Sequence, residues 1–216
     1  MTVKSLWQDN MRALEPYWDG VLGLAAGATV MPLVDVDNLP DAATFTARRG
    51  DANGIKPVFT WSSAPSAWAT PFDPTDEDSY EGIVPKLTLD GSNDECDTPD
   101  AAYWSRDDAS AEAFSLVFTV RLSVVGAKNF WNKYGNAGAR EWFVSFGGSG
   151  RVDVTMRDDS AGQSQSHIID VALDTDVWIH IVMTYDGSGG ATGADGIIWY
   201  VNGAVRASTA TNNGSY

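Results

Sequence analysis

The chain has 216 residues and a formal charge of −15, from 14 Lys+Arg against 29 Asp+Glu; without a basic face it is expected neither to bind nucleic acid nor to dock on anionic lipid. Apolar residues at 44% and aromatics at 11% supply a core and exclude general disorder. One cysteine, Cys96, and two histidines, His167 and His180, exclude an intrachain disulfide framework, a cysteine-type zinc site and a three-histidine metal site.

The opening residues carry one Lys followed by Ser-Leu-Trp-Gln-Asp-Asn, without the apolar block of an export leader, so synthesis in a cytoplasm is expected. Leu6, Met11 and Leu14 recur at roughly helical spacing behind Ser5, and Pro16 ends that pattern. The apolar, Gly-broken stretch that follows admits a strand from Val30 to Val36. It is too interrupted to span a bilayer, and no membrane insertion is expected. Turn formers with isolated aromatics (Phe45, Phe59, Trp61, Trp68, Phe72) fill residues 37–80 and predict an irregular arm. From Asp73 to Glu112 thirteen acids face only Lys86 and Arg106, which predicts loops joining short strands.

Beyond residue 113 the pattern changes. Phe114, Leu116, Phe118, Val120 and Leu122 alternate with more polar residues, a period of two that marks a half-buried strand. Trp142, Val144 and Phe146 repeat it, as do Val152, Val154 and Met156, then Ile179, Ile181, Met183 and Tyr185. Gly196 to Val201 reads as a strand apolar on both faces. It runs into Asn202-Gly203, a hairpin signal, with Ala204 to Thr209 returning. The expected fold is all-β, an antiparallel two-sheet jelly-roll sandwich with an irregular, partly helical N-terminal arm. The arm is placed at residues 1–45 and the jelly roll at 46–216.

Several segments carry a resemblance in a fixed order. Val84 to Glu95 (VPKLTLDGSNDE) is similar to the strand and F-D-G-x-x-D turn that open concanavalin A-like, laminin G-like jelly rolls. Phe114 to Val120 resembles that family's F-S-I-S-x-W-V strand, and Phe130 to Tyr134 its I-I-S-K strand. Glu141 to Phe146 and Arg151 to Arg157 follow as a hairpin. Asp176 to Gly187 resembles the W-H-H-V-A-x-T-Y-D-G signature, with Ile179 at a frequent His position and His180 kept; Gly196 to Gly203 resembles I-x-L-Y-V-D-G. The resemblance implies further closing strands, which the sequence to Tyr216 does not show.

The chemistry expected of such a domain is non-covalent. Glucanases of this fold carry Glu-x-Asp-x-Glu along one strand, and two carboxylates at a set separation are what hydrolysis needs. Only six Glu are present, and Glu95-Cys96-Asp97 lacks the third acid. No enzyme is expected, and His180 reads as a packed, hydrogen-bonded residue. The resemblance also implies calcium on the rim. Asp90, Asn93, Asp94 and Asp97 in one turn, and Asp186 and Asp195 beside a second, are candidate ligands, set against plain solvated loops. Trp61, Trp68, Trp104, Trp131 and Trp199 are candidate platforms for a glycan, since flat rings stack on sugars; Trp142 and Trp178 read as core. The expected function is that of a virion structural or adhesion protein of a tailed bacteriophage. Residues 1–45 would anchor it to other virion subunits in a homo-oligomer, and the jelly roll would contact host glycans. The alternative is a carbohydrate-binding module of a secreted or cell-surface protein.

Overall fold

The computed structural model describes residues 113–134 and 140–215, together with the backbone of five short strands between residues 44 and 97. The chain divides into two compact units, Met1–Asp100 and Ala101–Tyr216. In the first, β1 (Thr44–Thr46), β2 (Val58–Trp61) and β5 (Cys96–Asp97) form one small antiparallel sheet. The strands β3 (Ala67–Trp68) and β4 (Leu87–Thr88) pair separately. The helix expected behind Ser5 and the strand from Val30 lie outside the described residues.

The second unit holds the sandwich. One sheet has four strands in the order β13-β12-β11-β6: β6 (Phe114–Arg121), β11 (Trp178–Tyr185), β12 (Ile197–Val201) and β13 (Ala204–Arg206). The other has five, in the order β14-β10-β9-β8-β7: β7 (Lys128–Tyr134), β8 (Arg140–Phe146), β9 (Val152–Asp158), β10 (Gln163–Ile169) and β14 (Ser208–Asn213). Every pairing is antiparallel. The period of two decides what is inside. Val144, Val152, Val154, Met156, Ile181, Met183 and Trp199 are fully buried between the sheets. Three rings tie the layers at one place: Phe118 of the four-stranded sheet lies 4.7 Å from Phe130 and 6.5 Å from Phe146, ring centre to ring centre. The near-perpendicular Phe118–Phe146 contact is the edge-to-face arrangement that ring quadrupoles favour.

Two strands differ from expectation. β10 carries Gln165 and His167 on its buried side, so hydrophobic alternation does not announce it. Ala204 to Thr209 is not one returning strand. β13 pairs with β12, the chain turns at Ala207, and β14 joins the other sheet beside β10. The hairpin itself is as expected. Asn202 (φ 51°) and Gly203 (φ 79°) are both left-handed, the pairing a tight two-residue turn requires between twisted strands. His180 N donates to Asn202 Oδ1 at 2.8 Å, and Asn202 N donates to His180 O at 2.8 Å.

Candidate functional site

The two sheets turn different surfaces outward. On the five-stranded sheet the residues between the buried ones are polar almost throughout. One cross-strand row runs Asn132, Phe143, Thr155, Ser166, Thr211. The next runs Asn129, Ser145, Asp153, Ile168, Thr209, and a third brings Arg157 beside Ser164 and Asn213. Strand β9 makes the centre of this face because Val152, Val154 and Met156 point inward, which leaves Asp153, Thr155 and Arg157 outside.

Asp153 is the focus. Ser145 Oγ donates to its Oδ1 at 2.6 Å, which fixes one carboxylate oxygen and leaves the other for a further donor. Partial burial raises the Asp153 pKa above the ordinary carboxylate value, opposed by the Ser145 hydrogen bond and the Arg151 charge. Other charges of this sheet pair locally. Arg157 Nε donates to Asp159 Oδ1 at 2.8 Å, and Lys133 pairs with Glu141. Thr209 Oγ1 donates to Asp170 Oδ1 at 2.7 Å. The result is an array of hydroxyls and amides around one oriented carboxylate, with Phe143 in the row beside it. Such an array suits a ligand dense in hydroxyl groups. In the ladder the neighbours of Asp153 are Ser145 and Ile168, and the outward positions beside it on its own strand are Arg151 and Thr155, so no second carboxylate occupies these adjoining positions.

His180 sits on the other sheet, with Nδ1 hydrogen-bonded to Thr119 Oγ1 at 2.9 Å, and burial lowers its pKa. That is a packed, hydrogen-bonded residue, as its place in the strand implies. Of the tryptophans, Trp199 corrects an expectation. It is 0% exposed and its Nε1 donates to the backbone carbonyl of His167 at 3.3 Å, so it is sealed in the core and stacks on no ligand. Its strand is apolar on both faces, and the two-residue period turns Ile197, Trp199 and Val201 inward together. Trp131 is half-buried against the core in register with Val144. Trp142 is core, while Trp178 faces outward, half-buried, opposite Arg121. Trp61 and Trp68 lie on β2 and β3 with side chains outside the described residues; Trp104 lies wholly outside them.

The Asp186–Gly196 loop is self-satisfied. Ser188 N donates to Asp186 Oδ1 at 2.8 Å, and Asn212 Nδ2 donates to Asp195 Oδ1 at 3.0 Å. Among the described residues no three His, Cys, Asp or Glu side chains converge. Of the two carboxylates of this loop, each has one oxygen engaged within the fold. Asp90, Asn93 and Asp94 lie outside the described residues, and Asp97 is described in β5 by its backbone alone.

The residues missed on sequence are Phe143, Ser145 and Asp153. Their signal was the polar half of each alternation, which shows that a strand has a wet side but not which strands adjoin. In comparisons with known proteins, residues 90–216 match the family model described as the concanavalin A-like lectin/glucanases superfamily. No curated protein and no solved structure matches the chain at a significant level.

Proposed function

The chain belongs to the concanavalin A-like lectin/glucanases superfamily, and from that premise we propose that it is a non-enzymatic module that contacts glycans through the outer face of its five-stranded sheet. The observation that carries this reading is Asp153, oriented by Ser145 at 2.6 Å within rows of hydroxyls and amides, with Ser145 and Ile168 as its ladder neighbours. The Asp153 oxygen that Ser145 leaves open would accept from a sugar hydroxyl, and Phe143 in the neighbouring row would face the sugar's apolar side. The test is a glycan array followed by calorimetry with Asp153→Asn and Phe143→Ala. Saturable binding to a defined sugar that both substitutions weaken supports the site. Binding indifferent to both, or sugar release from a polymer, overturns it.

The setting proposed for the module is a virion of a tailed bacteriophage, with residues 1–45 as the anchor to other subunits. What supports this is the apolar, Gly-broken character of that segment and the single cysteine. Capsid, portal or tail genes beside this one would bear it out. A neighbourhood of polysaccharide-degrading enzymes would instead favour a carbohydrate-binding module of a secreted or cell-surface protein.

A further inference from the structure

Strand β14 forms one edge of the five-stranded sheet, and among the described residues β10 is its sole ladder partner. Its residues, Ser208 to Asn213, include no apolar side chain larger than Ala210, and none of them is buried. Apolar burial therefore does little to hold it. Polar contacts do that work beside the ladder itself. Thr209 Oγ1 donates to Asp170, Ala194 N to Asn212 Oδ1 and Asn212 Nδ2 to Asp195. Past the strand end, Gln165 Nε2 donates to the carbonyl of Gly214 and Ser215 N to Gln163 Oε1. An edge held by solvent-facing hydrogen bonds and few apolar contacts is where a fold opens at least cost.

Behind that edge lies the inward side of β10. His167 is buried there, in register with Ala210 of β14 and Val154 of β9, and its Nδ1 has no hydrogen-bond partner. The backbone of Ser208, the first residue of β14, reaches the same ring. A neutral imidazole leaves one nitrogen as a bare acceptor; a protonated one turns it into a charged donor that needs oxygen or water. The carboxylates facing the ring are Asp195, from the Gly190–Gly196 turn, and Asp170, just past the end of β10. Both favour the charged ring, yet burial outweighs them and keeps the pKa below its ordinary value. The other elements around it bring no acid. β9 presents Val154, with Asp153 and Arg157 outside; β12 presents Trp199; β14 carries no charged residue. Arg206 of β13, in register with Trp199, adds a positive charge on that side.

We propose that His167 is an acid-operated latch on β14: when the ring takes up a proton, Ser208–Asn213 comes off β10 and gives Nδ1 access to water, while the rest of the sandwich stays closed. The closed strand favours the neutral ring and the open strand the charged one, so falling pH moves the balance toward opening. Histidine is the side chain whose ordinary pKa puts such a change in the mildly acidic range. Opening takes Thr209, Thr211 and Asn213 out of the outer rows of the sheet and bares the ladder edge of β10. The latch does not rest on the glycan reading, because it is read from the strand itself.

The experiment is hydrogen–deuterium exchange of the full chain, followed by mass spectrometry of its peptides, at neutral pH and at about pH 5. Rates are corrected for the pH dependence of chemical exchange. Peptides covering Ser208–Ser215 are expected to lose protection by about tenfold or more at the lower pH, while those covering β9 and β11 keep theirs. His167→Gln and His167→Phe are expected to abolish the local loss, and His180→Gln to leave it in place. The first two differ in polarity and size, so one remains should the other fail to fold; thermal melts verify each. Equal protection of β14 at both pH values overturns the proposal. So does a loss shared evenly by β9 and β11, or one that persists in the His167 variants.

Discussion

The indole nitrogen of Trp199 donates a hydrogen bond of 3.3 Å to the backbone carbonyl of His167, joining β12 of one sheet to β10 of the other through the middle of the core. Both residues are buried, so the contact combines a large apolar burial with a polar link that water does not compete for. Trp199→Ala is expected to cost about 3–5 kcal/mol, and Trp199→Phe clearly less, since Phe refills most of the volume and forfeits the hydrogen bond. Chemical denaturation of the two variants measures both, and a near-neutral Trp199→Ala would refute the packing described.

Acid is expected to weaken the fold as pH falls below 6.5. Burial lowers the pKa of both His167 and His180 from the ordinary 6.5. A depressed histidine is bound less tightly by protons when folded than when unfolded. Its stabilising contribution is therefore complete above pH 6.5 and is lost as pH falls from there through the folded-state value. Melting temperatures should decline across that window, and His167→Gln should flatten the decline. A profile that rises as pH falls through the same window would contradict the burial of both rings.

Gly193 has no room for a side chain. A Cβ there would meet Gln165 Oε1 at 2.3 Å. Gln165 is fully buried, and its Nε2 donates to the carbonyls of Gly190 and Gly214, so the amide pins the Gly190–Gly196 turn and the end of β14 to β10. Gly193→Ala is expected to destabilise by about 1–3 kcal/mol. Gly148→Ala, with open space around it, should stay within about 0.5 kcal/mol of the parent. Equal effects from the two substitutions in thermal melts would show that the clamp is not tight.

In the proposed glycan site, the Asp153 carboxylate predicts binding that depends on pH. Its pKa is raised by burial, so its charged form is lost at a higher pH than for an ordinary carboxylate. Affinity is expected to fall as pH descends through that raised value, and Asp153→Asn should bind about tenfold more weakly and without this dependence. Calorimetry at several pH values checks both. Affinity that stays level through acid while the fold persists would remove Asp153 from the site.

Much of the sandwich was legible because burial writes itself as alternation. Phe114 to Leu122 and Ile179 to Tyr185 fill one face and spare the other, and the family segments fixed their order. β10 was not legible, since Gln165 and His167 occupy inward positions where hydrogen bonds replace apolar contact. Trp199 misled because a strand apolar on both sides does not show which side is inside. The polar face needed register. Nothing local in sequence says that Ser145 opposes Asp153, yet that opposition gives the carboxylate its orientation.

The turn at Asn202-Gly203 also sets how the protein ages. An asparagine followed by glycine is prone to cyclise, its side-chain carbonyl being attacked by the next backbone nitrogen, with loss of ammonia. The 2.8 Å bond from His180 N fixes the carboxamide oxygen, and the tight bend restrains the backbone movement that ring closure needs. Storage that frays the hairpin releases it, and each converted molecule gains one more negative charge beside a histidine that held the turn in place.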